Sequence, residues 1–429
     1  MTNAMNRSFT RPRLVLLAGL FAGLISALFV ANSALANNLF DDYLSARQYD
    51  ATFAASFADY QTGRIQARVA GTAYFPESRF SRSQLPNESG DRQTITINQP
   101  IVNADRWLSL QEADPRNALA DAGLHKNQFD LAHRLFSVVS ALSASREKLL
   151  LNKTNIDALQ AQTDSAQRSF QLGMGTVTDV YDARVRLAQA RSQSLTLRSA
   201  LLAATRQYET IVGAPPQVGS YTLMNNMSDL KLPALETFMQ QARSINPNIR
   251  ASEIGTLIGE ITRKRAKAIF LPSINATVQR SQYGDTTVTS SGIALRLDIP
   301  LDMSSYSRIE TAELALQKLK DTERAVKQQV DLDIQRLHSD VQASVSEIAI
   351  LLEAIKAAEL SVNANEQSYK GGVRSTLDVL NALQALHQTK NDYVTALLQL
   401  GERLLSLQIT AAVDINLALK QVQTQLFKP

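Results

Sequence analysis

The chain has 429 residues, 44 Lys and Arg against 40 Asp and Glu, and no cysteine. The missing cysteines exclude a disulfide framework and the lipid anchor that a cysteine at a mature N-terminus would carry. Arg7, Arg11 and Arg13, the apolar run Leu14 to Val30 and Ala34-Leu35-Ala36 predict a cleaved signal peptide over residues 1–36 rather than a single membrane anchor. Its removal leaves 41 basic against 40 acidic residues, a balance that gives no case for nucleic-acid binding.

From Asn37 to about Gln61 the pattern is helical, with a break near Tyr49-Asp50. Ile65, Ala67, Val69, Gly71 and Ala73 then alternate with Gln66, Arg68, Ala70, Thr72 and Tyr74, which predicts a strand. A polar loop follows from Pro76 to Arg92. A second strand runs through Thr94 to Asn98 and ends at Pro100, which cannot donate to a ladder. Residues 102–171 are helical in composition, with one interruption at Asp114-Pro115. About 70 residues make roughly 100 Å of helix, too long for an ordinary globular domain. A return helix covers Val177 to Val212 and stops at Gly213-Ala214-Pro215-Pro216, since Gly caps and two prolines cannot continue. Residues 214–232 form an irregular linker.

The second half repeats this plan. Short helices cover Leu235 to Ile245 and Ile249 to Ile269. Ile274, Ala276 and Val278 alternate with polar neighbours, a polar loop spans Ser281 to Ser291, and Ile293, Leu295, Leu297 and Ile299 alternate again. A helix from Met303 to Tyr369 carries Val330, Ile334, Leu337, Val341, Val345, Ile348, Leu352 and Ile355 at spacings of three and four, a coiled-coil seam. Its return helix runs from Thr376 to about Thr410. Residues 412–429 form a tail.

The two turns between long helices are near copies. F-Q-L-G-M-G-T-V-T-D-V-Y-D-A (170–183) returns as Y-K-G-G-V-R-S-T-L-D-V-L-N-A (369–382), at an offset of 199 residues. Gln99-Pro100-Ile101 is echoed by Ile299-Pro300-Leu301, and Ala46 to Asp50 by Ala242 to Asn246. Three echoes in one order read as a tandem duplication, with repeats at 37–213 and 233–411. The paired strands lie at about 64–99 and 273–299 and the helical hairpins at about 102–212 and 303–410.

Four strands, apolar on one face and polar on the other, fit an outer-membrane barrel wall but cannot close one. About eight strands make the smallest closed barrel, so two or more chains must share it, and three would give twelve. The alternative is a small soluble β-domain on a coiled coil. No H-E-x-x-H, nucleophile elbow or phosphate loop accompanies His125, His133, His338 and His387, so no enzyme and no cofactor is expected.

The doubled order of short helices, strand pair and helical hairpin, with tip residues Tyr369, Gly372, Asp378, Val379, Leu380 and Ala382, resembles the TolC-type outer-membrane efflux and secretion channels. The resemblance covers essentially the whole mature chain. It implies a homotrimer: a twelve-stranded transmembrane β-barrel, mixed α and β overall, continuing into a long α-helical coiled-coil tunnel across the periplasm. The implied role is exit duct of a tripartite efflux pump or type I secretion system. Its partners would be a periplasmic adaptor and an inner-membrane ABC, RND or MFS transporter, and the tips would be the gate. A soluble periplasmic coiled-coil adaptor is the second reading; such a protein would normally carry one helical hairpin, not two.

At the tips, Gly173, Gly175, Gly371 and Gly372 serve as turn residues or hinges. In a trimer three copies of Asp378 would form a carboxylate ring that favours cations, with pKa values raised by crowding; a helix N-terminal Asp is the plain alternative. In similar channels a second Asp follows one turn later. Here that position is Asn381, which weakens the ring unless Asp182 faces the lumen. The resemblance also carries a closing network of Thr178 and Asp179 against Tyr369 and Arg374. Trp107 and Tyr306, equivalent at offset 199, suit the inner membrane interface or core packing.

Overall fold

The computed structural model describes residues 38–84, 91–224, 230, 232–283, 286–297 and 303–428. The expected signal peptide and the Ile299-Pro300-Leu301 echo lie outside them. In the first half, α1 (Leu39–Tyr49), α2 (Ala51–Gly71), β1 (Glu77–Gln84), β2 (Asp91–Val102), α3 (Ala104–Gln111), α4 (Ala113–Gln171) and α5 (Val177–Val212) follow one another. In the second come α6 (Leu235–Ile245), α7 (Pro247–Ala268), β3 (Ser273–Tyr283), β4 (Thr286–Arg296), α8 (Met303–Lys370) and α9 (Thr376–Thr410), then α10 (Ile415–Leu426). The order of types is the same in both halves, save that the first carries the extra short helix α3.

The echo between Asp50 and Asn246 has a physical basis. Asp50 caps α2, accepting from the Phe53 N–H, and Asn246 caps α7, accepting from the N–H groups of Asn248 and Ile249. Both capping side chains also reach across the fold. Asp50 receives both Arg134 nitrogens, at 2.8 and 2.9 Å, and Asn246 donates to the Thr410 carbonyl at 2.7 Å. The Asp50 side chain is only 6% exposed, and Arg134 holds its carboxyl below the usual 3.8. We expect Asp50→Ala to cost about 3 kcal/mol, since it removes a cap and strands a half-buried guanidinium. The depressed folded pKa fixes the sign of the pH dependence. The stabilisation is complete above pH 3.8 and is lost as pH falls through the folded value, so an acid unfolding scan of the variant should lose that limb.

Two expectations about strands are overturned. Residues 65–71 continue α2, and the first strand lies at 77–84, inside the stretch expected to be a loop. A ten-residue alternation is also readable as a helix. The choice falls to packing, for α2 lies on α4 so closely that a Cβ on Gly63 would sit 2.9 Å from that of Ala120. Ile65 and Val69 stay exposed. Likewise the polar loop expected at 281–291 belongs mostly to β3 and β4, which stay paired as far as Tyr283 and Thr286. Pro100 does not end β2; the register shifts between Pro100 and Val102, and an irregularity is where a strand tolerates proline. The helix break falls at Glu112, which leaves Pro115 in the first turn of α4, where no N–H is needed.

The four strands make one antiparallel sheet in the order β1-β2-β3-β4. Below it, α4 packs on α5 and α8 on α9, while α4 and α9 meet centrally and leave α5 and α8 on the flanks. The main core gathers Leu39, Leu135, Phe136, Tyr208, Ile334, Leu397, Leu404 and Leu426, where the middles of α4 and α8 meet the C-terminal parts of α5 and α9. The expected seam on α8 is part of it, with Val330, Ile334, Leu337, Val341 and Ile348 buried. A smaller cluster near the tips holds Leu159, Ala183, Leu187, Val362, Val379, Leu380 and Leu383.

Candidate functional site at the helical tips and the sheet face

Each tip ends one helix and starts the next with the same chemistry. Gly173 and Gly372 adopt φ +74° and +71°, the left-handed turn that closes a helix. The N–H of Met174 donates to the Ser169 carbonyl and that of Val373 to Ser368, both at 2.9 Å. Nothing lies within 4 Å of a Cβ built on either glycine, so the requirement is backbone conformation, not space. We therefore expect Gly372→Val to cost about 1–2 kcal/mol and to fray the adjoining turns, read by hydrogen exchange at residues 366–374. Gly175 and Gly371 do not take positive φ.

The return helices open with matched capping boxes. Thr176 accepts from the Asp179 N–H and Asp179 from that of Thr176; Ser375 and Asp378 repeat the exchange. The S/T-x-x-D spacing was readable in the sequence, yet Thr176 and Ser375 are absent from the expected site residues. The Asp378 carboxyl is held below its ordinary value by the Ser375 backbone and hydroxyl bonds, with Arg374 at 3.7 Å adding to them. Within one chain the direction is thus opposite to that expected from crowding.

The proposed closing residues are not brought together within one chain. Thr178 bonds Thr176, Asp179 caps α5, Tyr369 shares a 3.3 Å contact with the Ser169 hydroxyl, and Arg374 lies on its own Asp378. Asn381 accepts from Arg186 at 2.9 Å, a contact that sequence reasoning missed, and Asp182 is exposed.

The sheet separates chemistry by face. Paired residues share a side, so the registers put Phe80, Ile95, Ile97, Ala276, Val278, Ile274, Ile293 and Leu295 on one face. Six of the eight are more than 40% exposed. The other face carries Arg79, Thr94, Thr96, Asn98, Asn275, Thr277, Gln279, Ser281 and Ser290, with Val288 and Ala294 among its apolar exceptions. Thr94 meets Ser281, and Thr277 donates to Asn98, each at 3.2 Å. Toward the hairpin turns the apolar face becomes polar, with Gln93, Gln282, Thr287, Thr289 and Ser291 beside the charged Arg82 and Arg280, whose long side chains can reach headgroups. At the opposite rim Trp107 and Tyr306 are each 53% exposed, and Tyr306 packs on Phe270 with ring centroids 5.5 Å apart.

Known proteins share this arrangement. The sequence profile of the family described as outer membrane efflux protein matches residues 43–214 and 238–411. Alkaline protease secretion protein AprF of Pseudomonas aeruginosa is 23% identical, with 86% of this chain and 84% of that protein covered. Outer membrane protein TolC of Escherichia coli is 21% identical, over 84% of this chain and 79% of TolC. The crystal structure of VceC from Vibrio cholerae superposes with a TM-score of 0.72 at 15% identity, covering 89% of this chain and 96% of that one, which shows the same fold. These matches set aside the soluble adaptor reading. The chain belongs to the outer membrane efflux protein family, the TolC-type channels of the Gram-negative outer membrane.

Proposed function

We propose that three copies close one twelve-stranded barrel and one helical duct, the exit route of a tripartite efflux pump or type I secretion system. One observation carries this reading: an amphipathic four-stranded sheet whose outer strands β1 and β4 each have a free edge among the described residues. Lipid does not tolerate an open edge, and edge-to-edge pairing of copies removes it. The flanking helices support the same closure. Tyr181, Val185, Leu195 and Leu202 form an uncovered heptad stripe on α5, beside Arg184, Arg191 and Arg198. On α8, Ile350 and Leu360 are likewise uncovered. A head-to-tail ring would set the apolar stripe on α5 of one copy against the uncovered α8 residues of the next.

In this reading the mature chain begins after residue 36, and the two repeats supply two strands and one helical hairpin each. Substrate enters from an inner-membrane transporter and its periplasmic adaptor at the tips. There Thr178 and Asp179 of one hairpin face Tyr369 and Arg374 across the closed trimer, Asp378 rings the entrance, and Gly173, Gly175, Gly371 and Gly372 let the tips turn outward. Each exposed pair contributes only about 0.2–1 kcal/mol, which suits a gate opened by a partner. Trp107 and Tyr306 mark the inner membrane interface. The test is the detergent-corrected mass of protein extracted from outer membranes. Three chains are expected; a soluble monomer overturns the shared barrel.

A further inference from the structure

We infer that Arg186 sets the ion preference of the duct entrance, placing a fixed positive charge on the lumenal surface of the tips through its bond to Asn381. The inference deepens the duct reading and rests on it. The Arg186 Nη2 donates to Asn381 Oδ1 at 2.9 Å, joining α5 to α9 across two hairpins that are 195 residues apart in sequence.

The faces of the two helices show where this contact lies. On α9, Val379, Leu380 and Leu383 are buried, while Asn381, Gln384, Gln388, Asp392 and Gln399 recur at helical spacing on the uncovered side. On α5 the buried positions Val180, Ala183, Leu187 and Ala190 face α4. The uncovered remainder divides in two. Tyr181, Val185, Leu195 and Leu202 make the apolar stripe, and Asp182, Arg186, Gln189 and Gln193 make a polar one about a third of a turn away. An apolar stripe gains by being covered by another copy; a polar one gains by staying in water.

Helices α5 and α9 flank α4 and also touch one another directly, so the layer bends toward the side on which Arg186 and Asn381 meet. In a ring of copies the concave side is the lumen. Arg186 and Asn381 therefore lie on the water-filled face, about one turn along α9 from Asp378. Asp378 is already offset by Arg374, 3.7 Å away. With Arg186 held beside Asn381, the entrance carries two cations against the carboxylates of Asp182 and Asp378. A weak preference between cations and anions follows.

The experiment is the reversal potential of the full-length protein in planar bilayers under a KCl gradient. Arg186→Gln is expected to raise the cation-over-anion permeability ratio by about two- to fivefold, the scale of one unit charge removed from a wide aqueous entrance. Arg186→Lys should leave it near the wild-type value. An Arg186→Gln channel with unchanged ratio, or a Lys variant that shifts as far as the Gln variant, overturns the assignment. Should Arg186→Gln fail to yield channels, Asn381→Asp adds a carboxylate at the same spot and should raise the ratio; no rise overturns the inference. A wild type that passes no current overturns the duct reading itself, a failure distinct from an unchanged ratio in a conducting channel.

Discussion

Leucine in place of Gly401 is expected to destabilise the junction of α4, α9 and α10 by about 3 kcal/mol, the upper range for overpacking a filled core. A Cβ at this position would sit 2.1 Å from Leu426 Cδ1 and 2.7 Å from Phe136 Cζ. Both contacting atoms are side-chain ends, which often move aside at little cost. Here they cannot, because Leu426 is 0% and Phe136 1% exposed, and both are locked in the main core. Helix propensity pulls the other way, since replacing a helical glycine with a better helix former gains about 0.5–1 kcal/mol. Steric conflict is the larger quantity. The internal control is Gly255→Ala on α7, where nothing lies within 4 Å of the added Cβ and only the propensity gain remains. Thermal unfolding in detergent should show Gly401→Leu falling well below wild type and Gly255→Ala slightly above it. Equal behaviour of the two variants would mean that α10 is not packed against α9 as described.

Long-range organisation was legible because it is written in repeats and in long periods. The seam from Val330 to Ile348 spans enough turns for its period to be unambiguous, and the tip motif occurs twice. Strand boundaries were not legible. A barrel strand here is apolar on one side only, and E-S-R-F-S-R-S-Q holds a single large apolar residue, Phe80. Such a strand looks like a loop until its partner is known. Conversely, the stretch from Ile65 to Val69 alternates by accident of composition, and the helix wins through the close approach of Gly63 to Ala120. At the tips, the glycines and aspartates were found by their recurrence, but the roles differ within each set. Gly173 and Gly372 take the left-handed turn and their neighbours do not. The Arg186 to Asn381 bond joins two helices through side chains far apart in the chain, and no local pattern signals it.

Arginine at Ile293 should be the most damaging single change on the sheet, and arginine at Ser290 on the same strand should be tolerated. Ile293 pairs with Ala276 on the apolar face and is 74% exposed within the chain, while Ser290 pairs with Gln279 on the polar face. On a lipid-facing barrel surface an arginine near the bilayer midplane costs about 2–4 kcal/mol, falling toward zero at the interfaces. Ile293 lies about midway up the apolar face, between the Leu295 row and the Val278 row, so the full cost applies. A closed trimer repeats it three times, for roughly 6–12 kcal/mol per assembly, enough to erase a typical folding free energy. Lumenal arginine at position 290 meets water and a face already carrying Arg79 and Arg296, so its cost should stay below about 1 kcal/mol. The measurement is the yield of assembled protein in washed outer membranes, followed by the urea midpoint of the purified form. Ile293→Arg should leave little assembled protein while Ser290→Arg stays near wild type. The reverse order would place lipid on the other side of the sheet, and equal tolerance would mean that neither face meets lipid at all.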